Sequence, residues 1–524
     1  MTTDISKYLD RTAFLQESAQ AMYAQTLGLV DGAPRAEWPG IVQSKCKETI
    51  FDGAGDKGPS LLLGTINALE SYRDAHDGQL PSSELMSSMH SQLRSQLAPQ
   101  DDNKLGKILD SAGAPLSTSE GVELRDHRVA LIVPTALMMV TNDMVTTIPG
   151  NYDKSELFAL TRHANSDFGD MKKGDVIDET FNKQYGTMDQ RRLVGTGDGT
   201  KKQFTLSSTT DLGKKMPFKP NMVMVYVDRE LVGSDDGKGG IFGRYVNGDG
   251  DTVVLTGTVA YEDGGITTDF STGVASGLDV HFGFDINIES DPSLIPGIEH
   301  RMESWTLRPH ESALGCSSTI QAQFSMGREF GMNLGQMNLS ASRNVLASER
   351  DRNRLMAMYF FAKGETEWSR GIPSGLNYRE HYQSLNVKFQ EISQKLMLAT
   401  RKSGMVGMVC GGKAAALLRS LGHPFVKTVP GYRHIAQPHL VGTAFGYVFK
   451  EDPYMDDPWG VFCYAKGASH GDAGFVAGDA ITMINFPHSI QADLKHKNTL
   501  YDLAYRDLHP KNGRSWFTWL RIVD

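Results

Sequence analysis

Apolar and polar positions recur along this chain with two different periods, and the places where the period changes divide it. The first part is helical. Leu85, Met89, Leu93 and Leu97 repeat every four residues behind the capping candidates Ser82 and Ser83, with Pro99 as the stop. A second amphipathic stretch, Leu61–Tyr72, carries Leu63, Ile66, Leu69 and Tyr72. Residues 1 to about 120 therefore read as mainly helical and polar. That pattern suits a small helical domain and an assembly segment contacting a scaffold or neighbouring subunits equally well.

From Asp126 the character changes. The apolar run Val129–Val140, broken by Pro134, leads to the turn signal Ile148-Pro149-Gly150 and a strand-like Leu157-Phe158-Ala159-Leu160. Residues 163–190, with Gly169, Lys172, Lys173 and Gly174, are polar and turn-rich, as an exposed hairpin or a surface loop would be. Over 193–289 the helical period disappears. Runs such as Met222–Val227, Gly257–Tyr261, Gly265–Phe270 and Leu278–Phe284 lie between Gly/Asp turns and predict a small inserted sandwich or barrel. Such an insertion leaves and returns at neighbouring points, so 290–315, with Trp305-Thr306-Leu307-Arg308, is expected to complete the interrupted hairpin.

Gln321–Ala362 lacks proline and predicts a long helix. Its ends are apolar (Phe324, Leu334, Met337; Leu355, Met356, Tyr359, Phe360) and its middle, Glu349–Arg354, is charged. Gly327, Gly331 and Gly335 each cost about 1 kcal/mol in a helix interior and favour a strand or frayed entry for its first third. Next, Leu385, Phe389, Ile392, Leu396 and Ala399 share one helical face that ends with Arg401, Lys402 and Gly404. Met405–Cys410 predicts a buried strand and Lys413–Leu421 a short helix ended by Gly422-His423-Pro424. Three β-type runs then follow, Gly446–Phe449, Gly460–Tyr464 and Gly474–Ala477, which read as a short meander. The tail closes on an alternating aromatic strand, Ser515–Ile522.

Composition narrows the function classes. The 524 residues, 40% hydrophobic and 22% charged, are enough for roughly three or four globular domains. Lys+Arg 53 against Asp+Glu 62, a net charge of −9, argues against holding nucleic acid by neutralising phosphates. Cys46, Cys316, Cys410 and Cys463 form no C-x-x-C pair and read as reduced, buried thiols. No targeting segment is visible at the N-terminus, and the longest apolar run is too short to cross a bilayer, so a soluble protein from a reducing compartment is expected.

Several patterns imitate active sites. Gly195-x-Gly197-x-Gly199 precedes β-type sequence rather than a helix and is expected to be a hairpin turn. Gly233–Lys238 and Gly411-Gly412-Lys413 lack the spacing of a phosphate-binding loop. Asn247, Asp249 and Asp251 alternate like calcium ligands, but Thr258 stands where the loop needs Glu. Ser469, His470 and Asp472 carry the letters of a hydrolase triad, yet sit on one turn with no nucleophile elbow. His434 and His439 read as surface or satisfied core histidines. No catalytic, cofactor-binding or metal-ligating residue is assigned, and no cofactor is expected.

Two stretches carry a family resemblance. One is Val441–Met483, with Val441-Gly442-Thr443 before the first run, Asp452-Pro453-Tyr454 after it, then Lys466-Gly467-Ala468-Ser469 and Asp472-Ala473-Gly474. The other is ATRKSGMVGMVCGGKAAALLRSL at 399–421. Together they resemble the late segment of the major capsid proteins of T-even-like tailed bacteriophages, which have the HK97-like fold. The resemblance covers 126–524 and departs at Ala477-Gly478-Asp479-Ala480-Ile481, where many relatives carry a Tyr/Pro-rich phrase.

The resemblance implies an α+β chain with a helical N-terminal region (1–125), an N-arm and the first part of an E-loop (126–192), and an inserted β-sandwich or barrel (193–289). The E-loop return (290–320), the spine helix of the peripheral domain (321–364), an axial domain (365–482) and a C-terminal return to the peripheral domain (483–524) would follow. It further implies a non-enzymatic major capsid protein that self-assembles as hexamers and pentamers into the icosahedral head shell of a tailed phage enclosing dsDNA. Its partners would be neighbouring capsomers, scaffold, portal and decoration proteins, and packaged DNA touched without sequence readout, with no membrane. The localisation would be the virion shell, assembled in the host cytoplasm. A maturation protease of such relatives cuts after apolar-x-Glu, which Leu15-Gln16-Glu17 fits, although a chain starting at Met1 is expected to be uncleaved. The alternatives are a vertex paralogue forming only pentamers, and a carbohydrate-binding tail or structural protein, or an enzyme, carrying the β module.

Overall fold

A computed structural model of the chain describes residues 2–76, 78–97, 129–130, 132–137, 139–148, 154–179, 183–248, 250–331, 334–429, 431–488 and 495–524. The expected stop at Pro99, the start of the N-arm at Asp126 and the turn at Pro149-Gly150 lie outside these residues. Helices and strands form an α+β arrangement in two compact units: Met1–Leu160 with Met302–Asp524, and Thr161–Arg301.

The larger unit opens with helices α1 (Thr2–Ala24), α2 (Trp38–Lys45), α3 (Gly58–Ala75) and α4 (Ser83–Leu97). The α4 spacing is met: Leu85, Met89, Leu93 and Leu97 are all buried, and Ser82 Oγ accepts from the Leu85 N–H. In α3 Leu63 and Tyr72 are only partly covered, and the buried stripe falls on Leu61, Leu62, Ile66 and Leu69. With Phe51, Val129 and Val133 these side chains close one apolar core. These helices therefore carry an apolar core within the larger unit.

Strands β1 (Val145–Thr147) and β2 (Ser155–Ala164) follow, and β2 leads into the second unit. That unit holds β3 (Asp189–Thr196), β4 (Gln203–Ser207), β5 (Met224–Val227), β6 (Glu230–Asp235), β7 (Gly240–Val246), β8 (Thr252–Ala260), β9 (Gly265–Phe270) and β10 (Asp279–Asp285). They form one sheet in the order β3-β10-β5-β6-β7-β8-β9-β4, coiled around a core that includes Phe204, Phe218, Val225, Leu255, Phe270, Phe282 and Phe284. The chain returns along β11 (Ile298–Leu307), which is hydrogen-bonded to β2.

Beyond it come β12 (His310–Thr319), α5 (Ile320–Phe330) and α6 (Leu334–Phe361). The expected single helix over Gln321–Ala362 is thus two. Gly331, at φ 63°, takes the left-handed conformation that ends α5. The first third is nonetheless helical, since Thr319 caps it by accepting from the Ala322 N–H.

The rest of the chain supplies β13 (Glu365–Ser369), α7 (Tyr378–Thr400), β14 (Met405–Gly411), α8 (Gly412–Leu421), β15 (Val426–Thr428), β16 (His439–Ala444), β17 (Tyr447–Asp452), β18 (Gly460–Ala465), β19 (Phe475–His488), β20 (Lys495–Leu508) and β21 (Phe517–Val523). An Asn377/Glu380 capping box starts α7, and Arg401 in the left-handed conformation ends it, one residue after Thr400 and before Gly404.

Two sheets result. One has the order β1-β19-β20-β12, the other β13-β21-β18-β14-β17-β16-β15. The expected meander is therefore absent. β14 lies between β17 and β18, parallel to the first and antiparallel to the second, and β19 belongs to the other sheet. The reason is burial on both faces: β18 is buried at every position and β14 at all but one, so neither periodicity nor proximity in sequence fixes strand order. The strand expected over Ser515–Ile522 forms as β21 and pairs with β18 and β13 in the seven-stranded sheet. Leu385, Phe389, Ile392 and Leu396 of α7, Leu355 and Met358 of α6, and Met408, Phe462, Phe475 and Phe517 share one core that joins both sheets.

Candidate assembly surfaces and buried charges

The motifs that imitate active sites are spoken for by local contacts. Gly197 and Gly199 donate to the carbonyls of Leu278 and Val274. The loop they form is not the expected hairpin, since β3 and β4 lie at opposite ends of the strand order. Between β6 and β7, Asp236 accepts the N–H groups of Lys238 and Gly240, each at 2.8 Å. At Gly411-Gly412-Lys413 a strand does lead into a helix, but the Lys413 and Ala414 N–H groups both donate to the Pro458 carbonyl, so the end of α8 is filled. Asn247 accepts from the Asp251 N–H as a turn residue, and Asp249 lies outside the described residues. His470 pairs with Glu84 at 2.8 Å, and Asp472 pairs with Lys402, which separates the supposed triad. Among the described residues no group of His, Cys, Asp and Glu is arranged to hold a metal ion, and no helix is long and apolar enough to cross a membrane.

Buried charge is what the periodicity missed. Arg350, in the charged middle of α6, is buried between Asp479 of β19, at 2.9 Å, and Asp502 of β20. Burial alone would lower the guanidinium pKa; the two carboxylates outweigh it and hold it above its ordinary value. One residue on, Asp351 accepts the Val140 and Thr141 N–H groups at 3.0 and 3.2 Å and the Thr141 hydroxyl at 2.6 Å, fixing the loop before β1. That loop presents the Val140 carbonyl, at 2.6 Å, and Asp143 to the buried ammonium of Lys450 on β17. Burial lowers the Lys450 pKa against the pull of Asp143. The Tyr464 hydroxyl also donates to Asp143, at 2.6 Å. Farther along β17, Glu451 takes Arg419 and lies 3.8 and 3.7 Å from His434 and His439, while Asp452 takes Arg352 at 3.1 Å and the Tyr359 hydroxyl at 3.2 Å. The available signal was a charged triplet, Lys450-Glu451-Asp452, inside a strand-like run.

The surface shows the opposite anomaly. α5 has no buried residue, yet it presents Phe324 at 73% and Phe330 at 62% exposure, and at the far end of α6 Phe360 is 82% exposed. Each aromatic ring left in water forgoes burial worth roughly 1.5–3 kcal/mol. Val345 and Met337 extend the exposed apolar positions along α6.

Residues 6–139 match a family described as a domain of unknown function, DUF8615. Protein IncB of Escherichia coli is 29% identical over 144 residues, covering 26% of this chain and 68% of that protein. Among solved structures, the capsid of the jumbo bacteriophage PhiKZ is similar over 72% of this chain and 91% of its own, with 8% identity and a TM-score of 0.36. The holo-SrpI encapsulin complex from Synechococcus elongatus PCC 7942 is similar over 43% of this chain and 78% of its own, with 8% identity and a TM-score of 0.29. For Mycobacterium phage Che8 the shares are 42% and 74%, with 12% identity and a TM-score of 0.29.

Proposed function

We propose that this chain is the major capsid protein of a tailed phage, with an HK97-like fold and T-even-like wording over 399–480, and that its copies self-assemble as hexamers and pentamers into an icosahedral shell around dsDNA. The observation that carries the reading is α5: an eleven-residue helix without one buried side chain has no folding role in a solitary molecule, yet it displays two phenylalanines. The paired strands β2 and β11, which lead into and out of the second unit, add support, because a unit inserted on such a stem suits contacts between copies. The chemistry is mechanical. Many modest contacts add across a closed shell, scaffold and portal proteins guide it, and packaged DNA meets an acidic protein without sequence readout. No enzymatic step is part of this role.

The test is direct. Purified protein imaged in negative stain is expected to show rings, tubes or shells. Phe324→Asp with Phe330→Asp is expected to abolish them while leaving the thermal unfolding of the single chain within about 0.5 kcal/mol of wild type, as for surface positions. A protein that stays monomeric under all assembly conditions would falsify the reading.

A further inference from the structure

The helices α1–α4, joined by Val129, Ile132 and Val133 farther along the chain, close a core of their own that includes Met22, Val42, Phe51, Leu62 and Met89. The family match over 6–139 spans the same stretch. What ties this region to the sheets of its unit is polar. Glu84, in the first turn of α4 and buried, accepts from the Thr146 hydroxyl at 3.0 Å and the Thr147 N–H at 2.8 Å, and pairs with His470 Nδ1 at 2.8 Å. In the parallel β1/β19 ladder Ile148 donates to Ala477, so Thr147, one residue earlier, faces the open edge of β1. Glu84 therefore fills the donor of an unpaired strand edge, and Lys466 fills an acceptor on that side, the Val145 carbonyl, at 2.8 Å. Gln92, two turns along α4, donates to Asp479 at 3.1 Å, and Arg11 of α1 reaches Ser155 and the Glu156 carbonyl at the base of β2. Apolar packing at this junction is incomplete: a cavity of about 20 Å³ lies between Leu85, Ser88 and Gln92 on one side and Thr147, Ala477 and Gly478 on the other.

We propose that α1–α4 form a detachable module, latched through Glu84 to the edge of β1, that can leave the sheet with its own core intact and uncover both that edge and the base of the β2 hairpin. An interface made of side-chain hydrogen bonds around a cavity opens at far smaller cost than a shared apolar core. The groups facing the Glu84 carboxylate are Thr146 and Thr147 from β1, and His470 and Lys466 from the connection between β18 and β19. Burial alone would raise the Glu84 pKa, but His470, Lys466 and the Thr147 N–H together hold it below the ordinary carboxylate range. A carboxylate lowered in the folded state stabilises at pH above its unfolded value and loses that contribution as pH falls through its folded value. The latch is therefore closed at neutral pH and opens in acid.

Hydrogen exchange on the full-length protein tests this. With Glu84→Ala, the amides of Thr146–Ile148 are expected to exchange about tenfold faster or more, the effect of losing hydrogen bonds to a charged acceptor. The amides of Ile66 and Met89, inside the helical core, are expected to keep wild-type protection. His470→Gln, which leaves α4 untouched, is expected to give the same pattern with a smaller increase. If the helical core and β1 lose protection together in either variant, or if β1 keeps its protection in both, the module is not detachable and the proposal is wrong.

Discussion

Replacing Arg350 with methionine removes a cation that sits between two acids and leaves its volume nearly filled. Asp502 then remains buried, with 2% of its side chain exposed, opposite Asp479 with 15%. Leaving a buried charge without its partner costs about 3–5 kcal/mol. Because Arg350 serves two carboxylates, the upper part of that range is expected, relieved slightly by the partial exposure of Asp479. Urea unfolding should show the loss as a lower midpoint at unchanged slope. The pH dependence identifies the cause. Burial already raises the Asp502 pKa with Arg350 present, and removing the arginine raises it further. A carboxylate raised in the folded state costs stability above its folded value, and that cost is relieved as pH falls through it. The deficit of Arg350→Met is therefore expected to shrink as pH falls, and adding Asp479→Asn with Asp502→Asn should recover most of it at neutral pH. A loss below about 1 kcal/mol, the worth of an exposed pair, or a deficit that does not change with pH, would refute the argument.

Three further outcomes are expected. Gly407→Ala would place a Cβ 2.3 Å from the Tyr464 hydroxyl oxygen and 2.9 Å from Val448, costing about 1–3 kcal/mol in chemical denaturation, with part of it restored by Tyr464→Phe. Thiol reagents should modify Cys316 in the native protein, whereas Cys46, Cys410 and Cys463 react only on unfolding, because they are buried and burial raises their thiol pKa values. Burial lowers His509 from 6.5 to about 4, so the folded state binds fewer protons than the unfolded chain and stability is lost as pH falls from 6.5 towards 4. His509→Gln should flatten a loss on the order of 3 kcal/mol over that range in pH-dependent unfolding.

Elements with one buried face were legible in the sequence, and elements buried on both faces were not. The stripes of α4 and α7 name their own core residues because water on the opposite face enforces the period. The inserted strands were visible because their solvent-facing positions alternate, as in the burial of β8. In the seven-stranded sheet that contrast vanishes. Gly460–Ala465 is buried throughout, so no alternation along it names a neighbour, and its pairings with β14 and β21 join positions roughly fifty to sixty residues apart in sequence. The letters of a hydrolase triad do not meet: His470 and Asp472, two apart in sequence, turn to Glu84 and Lys402. The ion pairs at Arg350, Lys450 and Glu451 left only the faint sign of charge within otherwise apolar runs.

The placement of charge and of aromatic surface together constrains what this chain is for. A monomer selected only for its own stability would put Phe324, Phe330 and Phe360 where Arg350, Arg354 and Lys450 now lie, since apolar replacements of buried ions are often neutral or stabilising. Here the order is reversed. The ions are inside, joining α6, β17, β19, β20 and the loop before β1 by directional bonds, and the rings are outside on α5 and α6. Directional bonds tolerate little displacement, so they favour one arrangement of helix and sheets over many of similar apolar content. Exposed rings gain their free energy only when another surface covers them. Apolar side chains left exposed on α5 and α6 are suited to contacts that form after folding. Phe324→Asp separates the two roles, because it should leave unfolding of the single chain unchanged and act only on association.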